Sequence, residues 1–203
     1  MNRTRPVLLA ACGIAALAFT FSCSSDDDGG GGNTGGGSGC SINGYGTVKI
    51  GNQTWMAENF NCEVDGSKCY GNDLANCVTY GRLYDWATAK EVCPSGWHLP
   101  SDDEWDELMT TVGGSSNAGT KLKATSGWNN SGSGTDEYGF SALPGGYGFG
   151  TSFSSVGDGG SWWSTTEGGS SRAYLRGMDY DYSSVSRYNF SKTDLFSVRC
   201  LQD

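Results

Sequence analysis

Apolar positions change their period along this chain, and the changes mark out its elements. Thr47-Val-Lys-Ile50 and Gln53-Thr-Trp-Met56 flank Gly51-Asn52, a turn pair that predicts a short hairpin. Cys62 to Cys77 is small, polar and without period, an irregular loop. Over Tyr80–Lys90, Leu83, Trp86, Ala87 and Lys90 fall on one side, which predicts a first helix. A second begins after Pro100: Ser101 is an N-cap, Glu104 completes a capping box, and Asp102 and Asp103 add negative charge at the positive end of the dipole. Trp105, Leu108, Met109 and Val112 follow at i, i+3, i+4 and i+7, and Gly113-Gly114 stops the helix. Residues 118–124 have room for one or two more helical turns. Phe140–Leu143 predicts a buried strand ended by Pro144, and residues 147–160 a long loop. The segments 161–166, 173–178, 184–188 and 195–200 are four short strands, several of them alternating. Two helices followed by an antiparallel sheet, with long loops between, define an α+β domain.

The first forty residues follow different rules. Arg3 and Arg5 precede an apolar run from Val7 to Phe21, which is too short and wrongly flanked for a lasting membrane span. Residues 1–22 are therefore a lipoprotein signal peptide, ending at Thr-Phe-Ser-Cys23, where Cys23 would be lipidated. Leu9-Ala-Ala-Cys12 matches the lipobox letters better, but cleavage there would leave an apolar region of about five residues, below the ~7–15 expected. Asp26-Asp27-Asp28 and a Gly, Asn, Thr and Ser tract make residues 23–39 a flexible tether. The acidic triplet resembles the surface-export signal of some Gram-negative lipoproteins. The expected location is the bacterial outer membrane, lipid-anchored and surface-exposed.

Residues 40–203 form one domain. The chain carries 13 basic and 22 acidic residues. Setting aside Arg3, Arg5 and Asp26, Asp27 and Asp28 leaves 11 and 19, a net charge of −8. Such a surface argues against nucleic acid and anionic membrane as partners. Cys40, Cys62, Cys69, Cys77, Cys93 and Cys200 are an even set in an exported domain, which implies disulfides rather than zinc, and their spacings are not those of a zinc site. Fifteen pairings are open. The expected one is 40–62, 69–77 and 93–200, the last tying the start of the helical region to the final strand.

The order of elements resembles the C-type-lectin-like fold. At finer grain the chain is similar to the Fibrobacter succinogenes major paralogous domain family. The match is carried by Gly51-Asn-Gln-Thr-Trp-Met-Ala-Glu-Asn59, Tyr80-Gly-Arg-Leu-Tyr-Asp-Trp86 and Cys93-Pro-Ser-Gly-Trp-His-Leu-Pro-Ser101. Gly139-Phe-Ser-Ala-Leu-Pro-Gly-Gly146, Trp162-Trp-Ser164 with Glu167, and Phe196-Ser-Val-Arg-Cys200 extend it over residues 45–203. The resemblance implies a secreted or lipid-anchored bacterial protein of unestablished biochemical role. More distantly, the layout is similar to formylglycine-generating enzymes and to hypervariable lectin-like ligand binders. Fold similarity does not carry function.

Candidate chemistry is sparse. His98, the single histidine, sits in extended or turn backbone before Pro100 and is expected to bond the backbone at a strand–helix junction rather than act as a general base. No Gly-x-Ser-x-Gly elbow supports a hydrolase. Cys200 stands near where the formylglycine-generating enzymes carry cysteine chemistry, but three disulfides account for all six thiols. Asp102, Asp103, Glu104, Asp106 and Glu107 suit a helix start better than a glycosidase pair. Catalytic residues are thus expected to be absent, as is a cofactor. Calcium is possible through Asp158, Glu167, Asp179 and Asp181, though no lectin calcium motif is present.

Binding chemistry is better represented. Tyr147, Phe149 and Phe153 lie among glycines, and Asp179, Tyr180, Asp181 and Tyr182 form a turn. Aromatic faces beside carboxylates suit a sugar: rings cover C–H patches while carboxylates accept from hydroxyls. Trp162 and Trp163 are adjacent in a strand, so one, taken as Trp163, is expected to leave the core side and pack under a loop or line a site. The expected ligand-binding set is Tyr147, Phe149, Trp163, Asp179, Tyr180, Asp181 and Tyr182. The expected function is a surface lipoprotein with a non-enzymatic binding or adhesion module for glycan or a cell-envelope ligand. A scaffold for protein–protein contact is the alternative, and an enzyme related to formylglycine-generating enzymes the third.

Overall fold

A computed structural model describes residues 40–203. The signal segment, Cys23 and the acidic tether lie outside the described residues.

The hairpin falls where the sequence places it, with β1 at Thr47–Ile50 and β2 at Gln53–Met56. Gly51 turns it at φ +61°, and a Cβ there would come within 2.9 Å of Thr111, so the turn is seated on the end of a helix. The next stretch differs from expectation. The Cys62–Cys77 loop contains a 3-10 turn (Tyr70–Asn72) and most of α1 (Leu74–Tyr80), and the single helix expected over Tyr80–Lys90 is divided. α1 stops at Gly81, β3 spans Leu83–Tyr84, and α2 runs Trp86–Val92. Two local signals divide it. Gly81 sits at φ +76°, where a Cβ would meet Asn59 and the carbonyl oxygens of Asn59 and Phe60 within 3 Å. Asp85 then restarts the helix as an N-cap, its carboxylate accepting from the Thr88 amide at 2.8 Å.

β4 (Trp97–His98) leads to α3 (Asp102–Thr111), whose capping box is formed by Ser101 and Glu104. α4 (Ser115–Leu122) starts three residues before the turns expected at 118–124 and ends at Leu122, where Lys123 turns extended. Phe140–Leu143 is buried at Phe140 and Ala142 but makes only one bridge, Ala142 with Lys123. The long loop expected at 147–160 is instead a hairpin, β5 (Gly145–Phe149) with β6 (Ser152–Val156), leading directly into β7 (Gly159–Glu167). β8 (Arg172–Asp179) and β9 (Ser186–Ser191) follow. The strand expected at 195–200 is reduced to β10 (Phe196–Ser197), and β11 (Leu201–Gln202) follows just beyond it in a different sheet.

The result is an α+β domain with four α-helices among the described residues, rather than two. One sheet has the order β1-β2-β11-β4. The other runs β3-β10-β7-β5-β6, with β8 on β7 and β9 on β8. It is mixed rather than antiparallel, because β5 and β10 both run parallel to β7. Disulfides join Cys40–Cys62, Cys69–Cys77 and Cys93–Cys200, the expected pairing.

β7 has a core on each face, and this overturns the expectation for its tryptophans. Trp162 and Trp163 point opposite ways, yet both are wholly buried. Trp162 joins Trp55, Trp105, Leu108, Leu122 and Phe140 under α3 and α4. Trp163 joins Tyr84, Trp86, Leu175, Phe196 and Val198 under α2. Each indole has a partner, Trp162 Nε1 donating to Asn59 Oδ1 at 2.7 Å and Trp163 Nε1 to the Tyr84 carbonyl at 2.8 Å.

Candidate ligand-binding face

The expected site residues separate into two groups. Tyr147 and Phe149 alternate on one face of β5, the side of the Trp163 core. Tyr147 contacts Phe149 (centroids 6.1 Å apart) and Phe196 of β10 (5.7 Å). Phe196 in turn meets Phe190 (5.4 Å), and Phe190 meets Tyr188 (6.3 Å). Tyr188 and Phe190 share the face of β9 that is paired with Leu175 and Ala173. The five rings form one continuous row, Tyr188–Phe190–Phe196–Tyr147–Phe149. Its middle is buried and its ends are not: Phe149 is 47 % exposed, Tyr188 43 % and Phe190 39 %. Trp163 lies beneath as the floor, edge-on to Phe196 at 4.7 Å, and does not reach the surface.

Backbone fixes the row. The Gly148 amide donates to the Leu195 carbonyl at 2.9 Å, and the Leu195 amide returns the bond to Gly148 at 2.7 Å, locking β5 to the segment entering β10. A Cβ at Gly148 would meet Leu195 and Phe153 at 3.1–3.2 Å, so the strands close tightly there. Ser152 and Ser154 of β6 stand directly across from Phe149 and Tyr147, on the same face. In the loop between Phe190 and Phe196, Ser191 Oγ and Thr193 Oγ1 are 3.0 Å apart. Burial raises the Asp194 carboxyl above its usual range, opposed by the Ser191 amide and the Arg172 charge. The rings therefore share a face with the two serines of β6, and one carboxylate stands in the adjoining loop.

Asp179–Tyr182 is elsewhere. Tyr180 packs against the other core, and the turn is organised by Lys123, whose buried ammonium donates to the carbonyls of Asp179 (2.9 Å) and Tyr182 (3.0 Å). Burial pulls the Lys123 pKa down against the pull of Asp179 and Asp181. Burial raises Asp179, as do Asp181 and Asp158, while Lys123 opposes them. Asp158 accepts from Asn129 at 3.1 Å, and Glu167 pairs with Lys192 at 3.3 Å. Among the described residues no group of three or more His, Cys, Asp or Glu is placed to hold a metal ion.

His98 is not bonded to backbone as expected. Its Nδ1 lies 2.7 Å from Asp203 Oδ1 and its Nε2 2.9 Å from Glu104 Oε1. Both ring nitrogens facing carboxylates favours the imidazolium. Burial works against that charge, but the two hydrogen bonds and the two carboxylate charges outweigh it, and the net pKa is raised. Glu104 is lowered despite burial, because Ser101 and His98 stabilise its carboxylate. Its other oxygen, Oε2, accepts from the Ser101 amide at 2.7 Å, so the capping box and the histidine share one side chain.

Two of the other helix-start carboxylates are likewise engaged. Asp102 pairs with Arg176 at 2.7 Å and Arg187 at 2.6 Å, and Asp106 pairs with Arg176 at 2.6 Å. Cys200 is in a disulfide. Two cavities lie away from the aromatic row. One of about 240 Å³ is lined by Tyr45, Glu58, Asn61 and Tyr80, and one of about 290 Å³ by Val64, Ala87 and Val92. Sequence reading placed Tyr147 and Phe149 among the ligand residues but missed Tyr188 and Phe190. Their signal is two aromatics at alternate positions in a short, polar strand.

An α+β domain stapled by three disulfides, with a tryptophan-rich central strand, is the class these observations define. Residues 48–202 match the Fibrobacter succinogenes major domain, and the chain belongs to that family. No curated protein and no solved structure matches it.

Proposed function

We propose that this chain is a lipid-anchored bacterial outer-membrane protein whose C-type-lectin-like domain is a non-enzymatic binding or adhesion module, with a glycan or other cell-envelope ligand. The observation that carries the reading is the aromatic row. Exposed aromatic side chains cost apolar exposure to water, and on a soluble domain a contiguous set marks a contact surface. Tyrosine and phenylalanine rings flanked by serine and threonine hydroxyls match a sugar's alternation of C–H faces and hydroxyl edges. The disulfide at Cys200 and the paired carboxylates around His98 support a non-catalytic role. The N-terminal sequence supports display: an apolar signal, Cys23 and a Gly-rich tether.

A second reading, a scaffold for protein–protein contact, is favoured by β9. This strand pairs only with β8 among the described residues and leaves one backbone edge for a partner strand.

Two experiments test the proposal. In cells fed a labelled fatty acid, the wild type incorporates label and Cys23→Ser does not; label retained in that variant contradicts the anchor. On a glycan array, the full-length chain in detergent binds, and Tyr188→Ala and Tyr147→Ala each abolish or sharply weaken the signal. Loss of glycan binding with retained capture of a surface protein through β9 would move the assignment to the scaffold.

A further inference from the structure

We infer that the aromatic row takes a neutral, linear polysaccharide, gripped over several consecutive sugars. This rests on the glycan reading above and specifies the ligand's length and charge.

The length follows from how the row is divided. Its solvent-facing rings come as two pairs, Tyr188 with Phe190 on β9 and Tyr147 with Phe149 on β5. Between them lies Phe196, only 1 % exposed, touching Tyr147 at 5.7 Å and Phe190 at 5.4 Å. One sugar covers one ring face, so a ligand that uses both pairs must bridge the buried middle. Each stacking contact is weak in isolation, and affinity accumulates only when successive contacts are made by one molecule. The exposed rings stand at both ends of the row, Phe149 at 47 % and Tyr188 at 43 %, so a ligand laid along it contacts rings at each end.

The charge argument is independent. The chain has a formal net charge of −9, and Asp194 lies in the loop beside Phe190 and Phe196. Both cations beside that loop are engaged: Lys192 by Glu167 (3.3 Å), the Ser170 carbonyl (3.2 Å) and the Trp86 ring (4.3 Å), and Arg172, whose charge acts on Asp194, by the Asn189 carbonyl (3.3 Å) and Oδ1 (3.4 Å). A uronate or sulfated polymer would approach a repelling surface, whereas a neutral chain offers Asp194, Ser152 and Thr193 hydroxyl hydrogens to accept.

The test uses the full-length chain in detergent. Depletion assays with insoluble cellulose, xylan, mannan and chitin are run beside pectate and alginate, and then the manno-, xylo-, cello- and chito-oligosaccharide ladders from two to six units are titrated. The inference expects retention on at least one neutral polymer and binding of its six-unit oligosaccharide about tenfold or more tighter than its two-unit one. The double variants Tyr188→Ala/Phe190→Ala and Tyr147→Ala/Phe149→Ala should each lose that length dependence, with thermal unfolding showing that both still fold. If a variant fails to fold, Phe149→Ser alone, at the most exposed ring, supplies the comparison. Equal affinity for two and six units, or preference for pectate or alginate, overturns the inference and leaves the glycan reading standing. Retention on none of the polymers, with no array signal, sinks both.

Discussion

Arg199 is the most consequential single residue in the fold. It is wholly buried, and among the described residues no carboxylate pairs with it. Its guanidinium donates instead to the carbonyls of Phe140 and Met56 and to Asn59 Oδ1 (2.7 Å), and it lies over the Phe140 ring at 4.3 Å. Burial pushes its pKa down to about 9, against the pull of Asp136 and Glu58, so it stays charged at neutral pH. Asn59 Oδ1 also accepts from Trp162, so one cation organises three segments and a core indole. Arg199→Met should therefore destabilise by about 3–5 kcal/mol, since it strands several buried acceptors at once. Denaturant unfolding checks this, and a cost near zero would mean those acceptors find other donors.

His98 carries a pH dependence whose sign is fixed by its partners. Its folded pKa lies above the ordinary 6.5, so its stabilisation is full below that value and is lost as pH rises through the folded pKa. Glu104 has a folded pKa below the ordinary 4.5, so its share is full above that value and is lost as pH falls through the folded pKa. Together they are strongest between about 4.5 and 6.5. Thermal melts across pH should show the difference between wild type and His98→Gln largest in that window and shrinking above it. A difference independent of pH would mean the imidazolium pairs contribute nothing.

At the scale of elements, legibility follows whether a local signal is enough. The hairpin about Gly51-Asn52 and the Ser101–Glu104 box were readable because turn and cap chemistry act within four residues. Ser101→Ala should cost about 1 kcal/mol, measured by denaturant unfolding, because it removes one half of that box. The break at Gly81 was hidden, because the clash that demands glycine comes from Asn59 and Phe60, more than twenty residues earlier. β5 and β6 were hidden because their glycines and serines give no alternating pattern, and their pairing rests on backbone. The double-faced β7 defeated the rule that one of two adjacent tryptophans must turn outward. That rule holds for a sheet with one dry side, and here helices cover both. Two of the five rings in the aromatic row were legible for a related reason: Tyr147 and Phe149 stood out among glycines, whereas the exposure of Tyr188 and Phe190 depends on β9 being an edge.

For the whole molecule, Cys93–Cys200 closes the domain across 107 positions and joins the approach to α3 to the passage between the two sheets. A loop of that length is worth about 4–5 kcal/mol in the chain-entropy picture. The Cys93→Ser/Cys200→Ser variant should melt well below wild type, while Cys69→Ser/Cys77→Ser, which opens a separation of 8, should lose less. Equal losses would place the stabilisation in native packing rather than in chain constraint. This rigidity is what a binding face would need, because β5 comes from a different part of the chain than β9 and β10 and their rings must be held within contact distance. Whether these rings form the ligand surface is tested by assigning the aromatic resonances and adding a neutral six-unit oligosaccharide that the chain retains. Shifts should concentrate on Tyr147, Phe149, Tyr188 and Phe190. Shifts centred on Asp179–Tyr182, or on the cavity beside Tyr45 and Glu58, would contradict that reading of the rings.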